Sequence, residues 1–174
     1  MKRQWIATLL LAPMLSLEPS SSFAQSLFER PPTQVRIHNP ESTEGLRNRT
    51  TITVVVPSDA GNALGALVLR QLPNLDQWDW GRFEPRVYIG DYSLRGKGTS
   101  GLASADVSES EEVLTIQLNP AVQPGQTVNV VFRGFNPQSS IYQWSTELMA
   151  DGEDPVRYLG PTLRLNVYEQ DPYR

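Results

Sequence analysis

Apolar residues recur at every second position in five stretches of this chain, each short enough to be a strand. In Thr50 to Val56 one set is Ile52, Val54 and Val56, and the other is Thr51, Thr53 and Val55. A two-residue period sends the sets to opposite faces of a sheet. The same alternation runs through Leu114, Ile116 and Leu118, then through Val128, Val130 and Phe132. It returns in Tyr142, Trp144, Thr146 and Leu148, and in Leu163, Leu165 and Val167.

Turn chemistry divides these runs. Pro57-Ser58-Asp59-Ala60-Gly61 ends the first, and Pro124-Gly125 predicts a hairpin between the Leu114 and Val128 strands. Three shorter pieces extend the pattern: Val35-Arg36-Ile37-His38, Gly65 to Leu72, and Arg86 to Gly90. Leu64, Leu67 and Val68 also fit helical spacing, and the surrounding pattern favours a strand there. Asp91 to Glu112, rich in Gly, Ser and acids, predicts a long loop with a small hairpin inside. Seven or eight short strands with no amphipathic helix describe an all-β fold, an antiparallel β-sandwich of immunoglobulin-like architecture.

The N-terminus carries a different signal. Lys2 and Arg3 precede an apolar stretch from Trp5 to Leu17, and Ser22-Phe23-Ala24 places small residues where a signal peptidase reads. Cleavage is expected before Gln25. The apolar core is shorter than the roughly 20 residues a bilayer helix needs, and later apolar runs are broken sooner. The expectation is a soluble exported protein, in the periplasm, cell envelope or medium, with no transmembrane segment. Residues 1–24 are then the signal peptide, 25–47 an extended N-terminal lead-in, and 48–170 one sandwich domain.

Composition narrows the functions. The chain has no cysteine, which excludes disulfides and lipid attachment to an N-terminal Cys, and a domain of this size buries enough apolar surface without disulfides. Removing Lys2, Arg3 and Glu18 with the leader lowers 15 Lys+Arg and 19 Asp+Glu to 13 and 18. A surface near −5 repels phosphate backbones and anionic lipid, so nucleic acid is not an expected partner. Lys97 is then the only lysine among many arginines. Arg pairs with carboxylates through two parallel bonds, so the arginines are expected to knit a surface rich in acids.

Taken together, these motifs resemble a cyanobacterial family of exported proteins known as domain-of-unknown-function family 2808. The residues that carry the resemblance are Val56-Pro57 with Ala60-Gly61, Leu67 and Gln71; the Pro124-Gly125 turn; and Val128 to Phe132 with Asn136-Pro137. Tyr142 and Trp144 follow, then Leu159-Gly160 before Leu163 to Tyr168. Ser140-Ile141 departs from the glycine expected ahead of the tyrosine. The resemblance implies an exported β domain and assigns no catalytic or binding residue.

Few side chains suggest chemistry. His38 is the only histidine, and without Cys or a second His the ligands that zinc and copper prefer are missing. No serine lies in a Gly-x-Ser-x-Gly elbow, so a Ser-His-acid triad is not expected either. Asp151, Glu153 and Asp154 around Gly152 offer hard oxygens that could hold calcium, but their spacing is not that of the twelve-residue calcium loop. Solvated turn acids are the expectation, and so is a solvated loop entry at Glu109, Glu111 and Glu112. Asn48-Arg49-Thr50 is a formal glycosylation sequon, taken as accidental.

The segment Trp78-Asp79-Trp80-Gly81-Arg82-Phe83 is the one candidate ligand site. Its three aromatics could stack on a sugar ring while Asp79 and Arg82 bond the hydroxyls; as large aromatics usually do, they could equally plug one end of the sandwich, and the plug is the favoured reading. The chain is thus expected to be a non-enzymatic structural or protein-interaction module without a cofactor, its partner an envelope protein. A glycan-binding module using Trp78 to Phe83 is the alternative.

Overall fold

The computed structural model describes residues 25–108 and 112–171. The expected signal peptide, and Glu109 and Glu111 of the second acidic run, lie outside the described residues.

Ten strands follow one another: β1 (Gln34–His38), β2 (Thr51–Val55), β3 (Leu64–Gln71), β4 (Arg86–Ile89), β5 (Ala103–Val107), β6 (Val113–Val122), β7 (Thr127–Val131), β8 (Ser140–Ala150), β9 (Arg157–Leu159) and β10 (Leu163–Val167). They form two antiparallel sheets. One has the order β1-β2-β7-β4; the other runs β10-β8-β3-β6-β5, with β9 also paired to β8. The expected all-β, immunoglobulin-like sandwich is the fold observed.

Alternation builds the core as predicted. Ile52, Val54, Val128 and Val130 of one sheet face Leu67, Leu69, Leu114, Ile116, Tyr142, Trp144 and Leu148 of the other, all buried. Each such aliphatic side chain contributes roughly 1.5–3 kcal/mol on leaving water. The ambiguous run at Gly65 is strand β3, central in its sheet and covered on both faces. Its second face packs Ala66 and Val68 on Met149. Phe28 and Val35, from the expected lead-in, are also core residues, and β1 pairs along its whole length with β2.

Two expectations need correction. There are ten strands among the described residues, more than the alternation resolved, because β5 and β9 are too short or too polar to show a period. Pro124-Gly125 does not close a hairpin. β6 is flanked by β3 and β5, and β7 by β2 and β4, so the turn carries the chain from one sheet to the other. The Gly125 N–H donates to the carbonyls of Val56 and Pro57, seating the turn on the end of β2. Turn residues mark where a chain reverses, not which strand becomes its neighbour.

The stretch from Asp91 to Glu112 holds β5, whose hairpin partner is β6. Its first part straps the outer face of the four-stranded sheet. Tyr92 stacks on His38 with ring centroids 3.7 Å apart, and Arg49 donates to the carbonyls of Ser93, Leu94 and Gly96. Beneath the strap Thr51, Thr53 and Asn129 are buried, and the Thr53 hydroxyl donates to Asn129 Oδ1 at 2.7 Å.

Candidate functional site

The segment from Trp78 to Phe83 lies between β3 and β4 and crosses one end of the sandwich, and the structure splits its aromatics in two. Trp78 and Trp80 point inward. Trp78 meets Tyr142 and Trp144 with ring centroids 5.4 Å away, and Trp80 meets Phe132 at 5.2 Å. The Trp78 indole N–H donates to Thr50 Oγ1, and its backbone N–H to Gln71 Oε1. Phe83 is 84% exposed. A sugar platform on all three rings is therefore corrected: two of them fill the core, where their large apolar area gains most from burial. The plug reading holds for Trp78 and Trp80 and fails for Phe83.

Asp79 and Arg82 also part company. The Asp79 carboxylate is occupied, accepting the backbone N–H of Gly81 at 2.7 Å and that of Phe135 at 2.9 Å. Arg82 is exposed. Gly81 has φ +80°, and a Cβ there would collide with the Arg133 carbonyl oxygen. A Cβ on Gly134 would collide in the same way with the Asp79 carbonyl oxygen. These two glycines let the segments 79–81 and 133–135 touch backbone to backbone, which fixes Phe83 beside Arg133.

Two adjoining clefts result, sharing Phe83 and Arg133 as walls. One, of about 470 Å³, is lined by Glu84, Arg86, Ser100 and Val131 as well. The other, of about 530 Å³, adds Glu41, Arg47, Asn48, Arg49 and Phe135, among others. Phe135 is half exposed and carries the Arg47 guanidinium 5.7 Å from its ring centroid. The face thus joins two exposed aromatic rings to several guanidinium groups on a chain of negative net charge.

The arginines do not knit the surface as expected. Ion pairs among the described residues are Arg30–Asp59 and Arg157–Glu147, none of whose members lines this face. Arg47, Arg82, Arg86 and Arg133 make none, and Arg49 bonds carbonyl oxygens. Of the lining acids, Glu41 accepts the Thr43 N–H, which holds its carboxyl below the usual range.

Asn136 organises the neighbouring chain. Its Oδ1 accepts from Asn39 and Asn48, and its Nδ2 donates to the carbonyls of Glu41 and Thr43, at 2.8–2.9 Å throughout. Asn48, the sequon asparagine, is buried in that network, and its amide also accepts from Thr50.

Elsewhere the expected chemistry is thin. Burial, with Arg36 nearby, lowers the pKa of His38, and its Nε2 has no hydrogen-bond partner. Among the described residues no three His, Cys, Asp or Glu side chains converge to hold a metal, so the calcium alternative at Asp151, Glu153 and Asp154 is not assembled. No described helix is long and apolar enough to cross a membrane.

Sequence reasoning found Phe83 and Arg82 but missed Arg47, Arg86, Arg133 and Phe135. Four separate segments supply the face, and no local pattern joins them. The one available signal was the excess of arginine over lysine.

Residues 25–167 match the profile of a family described as "Protein of unknown function (DUF2808)". No curated protein matches. Among solved structures, an uncharacterized protein from Nocardia farcinica with an immunoglobulin-like fold is 19% identical, covering 76% of this chain and 96% of its own, with a TM-score of 0.47. The N-terminal domain of the Streptococcus gordonii adhesin Sgo0707 is 12% identical over 78% of this chain and 32% of that one, at 0.48. The RrgA Jo.In complex is 13% identical over 78% of each chain, at 0.49. At these scores the likenesses carry no argument about what the chain does.

Proposed function

The chain belongs to the DUF2808 family of proteins of unknown function, and from that premise we propose that it is an exported, non-enzymatic interaction module of a cyanobacterial envelope, docking a protein through the face around Phe83. One observation carries the reading. Phe83, 84% exposed, stands between clefts whose guanidinium groups Arg47, Arg86 and Arg133 have no ionic partner. Exposed aromatic and arginine side chains that meet at a concave surface have the composition of a binding hot spot. A protein partner would bury the rings and supply the carboxylates.

The export part of the reading rests on the charged, apolar and small-residue signals before Gln25. Its non-enzymatic part rests on His38. That ring is stacked on Tyr92 and bonds no hydroxyl or carboxylate, so it lacks the nucleophile and orienting group of a hydrolase. The glycan alternative keeps only Phe83 of its three rings.

Affinity capture from envelope extracts tests the face. The wild-type protein is expected to retain a discrete protein that a Phe83→Ala/Arg133→Glu variant loses, with both giving superimposable melts. Equal retention by the two removes the face from the account. A glycan array run in parallel that binds the wild type alone would transfer the site to sugars.

A further inference from the structure

We propose that the arginine-lined cleft receives the acidic turn Asp151-Gly152-Glu153-Asp154 of a second copy of this chain, so that copies join head to tail. The inference rests on the reading of the Phe83 face as an interaction surface and names its occupant.

The fold puts the two features at opposite ends. β8 begins at Ser140, just after Arg133 to Asn136 at the cleft, and finishes at Ala150, next to the turn. Eleven residues of strand at ~3.3 Å each separate them by roughly 35 Å. One copy therefore cannot satisfy its own cleft with its own turn. A neighbour in line can.

The turn is also presented in a fixed form. The Asp151 N–H donates to the Ala63 carbonyl, the Asn62 amide to the Asp151 carbonyl, and the Ser26 N–H to the Asp154 carbonyl. Ser26 packs so closely on Gly152 that a Cβ there would collide with its hydroxyl. With the backbone held, Asp151, Glu153 and Asp154 are all exposed and make no ion pair. A convex turn with three carboxylates outside any ion pair meets a face on which Arg47, Arg86 and Arg133, also outside any ion pair, line two adjoining clefts together with Glu41 and Glu84.

The turn is acidic and the cleft face predominantly basic, and guanidinium–carboxylate pairs can bond through two parallel N–H donors. The negative net charge of each copy opposes association only weakly. At physiological salt, charges further apart than about 8 Å are screened, whereas contact pairs are screened least. Because cleft and turn are different surfaces, the contact is heterologous and can repeat along a row of copies.

Sedimentation velocity on the purified protein, across concentration and at low and high salt, tests the assembly. Two charge reversals supply the controls: Arg86→Glu/Arg133→Glu in the cleft and Asp151→Arg/Glu153→Arg in the turn, each checked by thermal melt for an intact fold. The wild type is expected to form dimers and longer species that dissociate with salt. Each variant alone should sediment as a monomer, while an equimolar mixture associates again. A wild type that stays monomeric throughout, or variants that assemble as it does, overturns the proposal.

A labelled peptide spanning residues 149–157 separates this proposal from the reading beneath it. It is expected to bind the wild type roughly tenfold or more tightly than the cleft variant. Peptide binding without assembly overturns the second-copy occupant and leaves the interaction face standing. Absence of both, together with equal affinity capture by wild type and Phe83→Ala/Arg133→Glu, overturns both.

Discussion

Replacing Trp80 and Phe83 in turn by alanine measures how sharply the chain divides core from surface over three residues. Trp80 is 4% exposed and packs against Phe132, Trp144 and Trp78 at centroid distances of 5.2, 5.8 and 6.3 Å. Trp80→Ala removes an indole from a close-packed aromatic cluster at the end of the sandwich. Such truncations cost about 3–5 kcal/mol, from lost transfer free energy and the cavity left behind. Against a total stability of roughly 5–15 kcal/mol for a domain, that is a large fraction. For about 150 residues it lowers Tm by roughly 6–20 °C. Phe83→Ala, by contrast, removes a ring already in water and should stay within about 0.5 kcal/mol. Urea titration of both variants and the wild type, with the denaturant slope m fitted freely, gives the two differences. A Trp80→Ala loss under about 1 kcal/mol, or a Phe83→Ala loss as large as that of Trp80, would refute the assignment of one ring to the core and the other to the surface.

Three further outcomes are expected. Asn136→Ala removes the acceptor of the Asn39 and Asn48 amides and the donor to the Glu41 and Thr43 carbonyls, so it should cost about 2–4 kcal/mol in the same titration, while Asn166→Ala on an exposed position changes little. Burial first, with Asp76 and Glu44 adding to it, pushes the Tyr142 pKa up to about 12. The fold favours its neutral phenol, so that stabilisation is complete below about pH 10 and lost as pH rises toward 12. Alkaline melts should show this loss, and Tyr142→Phe should flatten it. N-terminal sequencing of the native protein should read from Gln25; an intact Met1 in a cytoplasmic fraction would remove the export premise.

The strand faces were legible because a buried face imposes a two-residue period on any strand. Ile52, Val54, Val128, Val130, Ile116, Tyr142 and Trp144 all lie where that period puts them. Partnership was not legible. Pro124-Gly125 looks the same whether the chain turns within a sheet or passes to the facing one, and β5 has too few apolar residues to announce itself. Thr51, Thr53 and Asn129 are polar and buried, covered by a strap from distant sequence. At the candidate site, Trp78, Trp80 and Phe83 share one composition and one short segment, yet Gly81 turns the backbone between the second ring and the third. The arginine face comes from four segments that only the folded chain brings together. Phe83 was flagged by its own segment, but Arg47, Arg86, Arg133 and Phe135 carried no local signal.

Photo-crosslinking from position 83 tests the central claim most directly. Benzoylphenylalanine is placed at Phe83 in one sample and at Leu159 in another, both positions being 84% exposed, so that accessibility is matched. Irradiation in envelope extracts should give a discrete protein adduct from position 83 and none of comparable yield from position 159. Equal adducts from the two positions, or none from position 83, would contradict the assignment of this face as the surface through which the protein works.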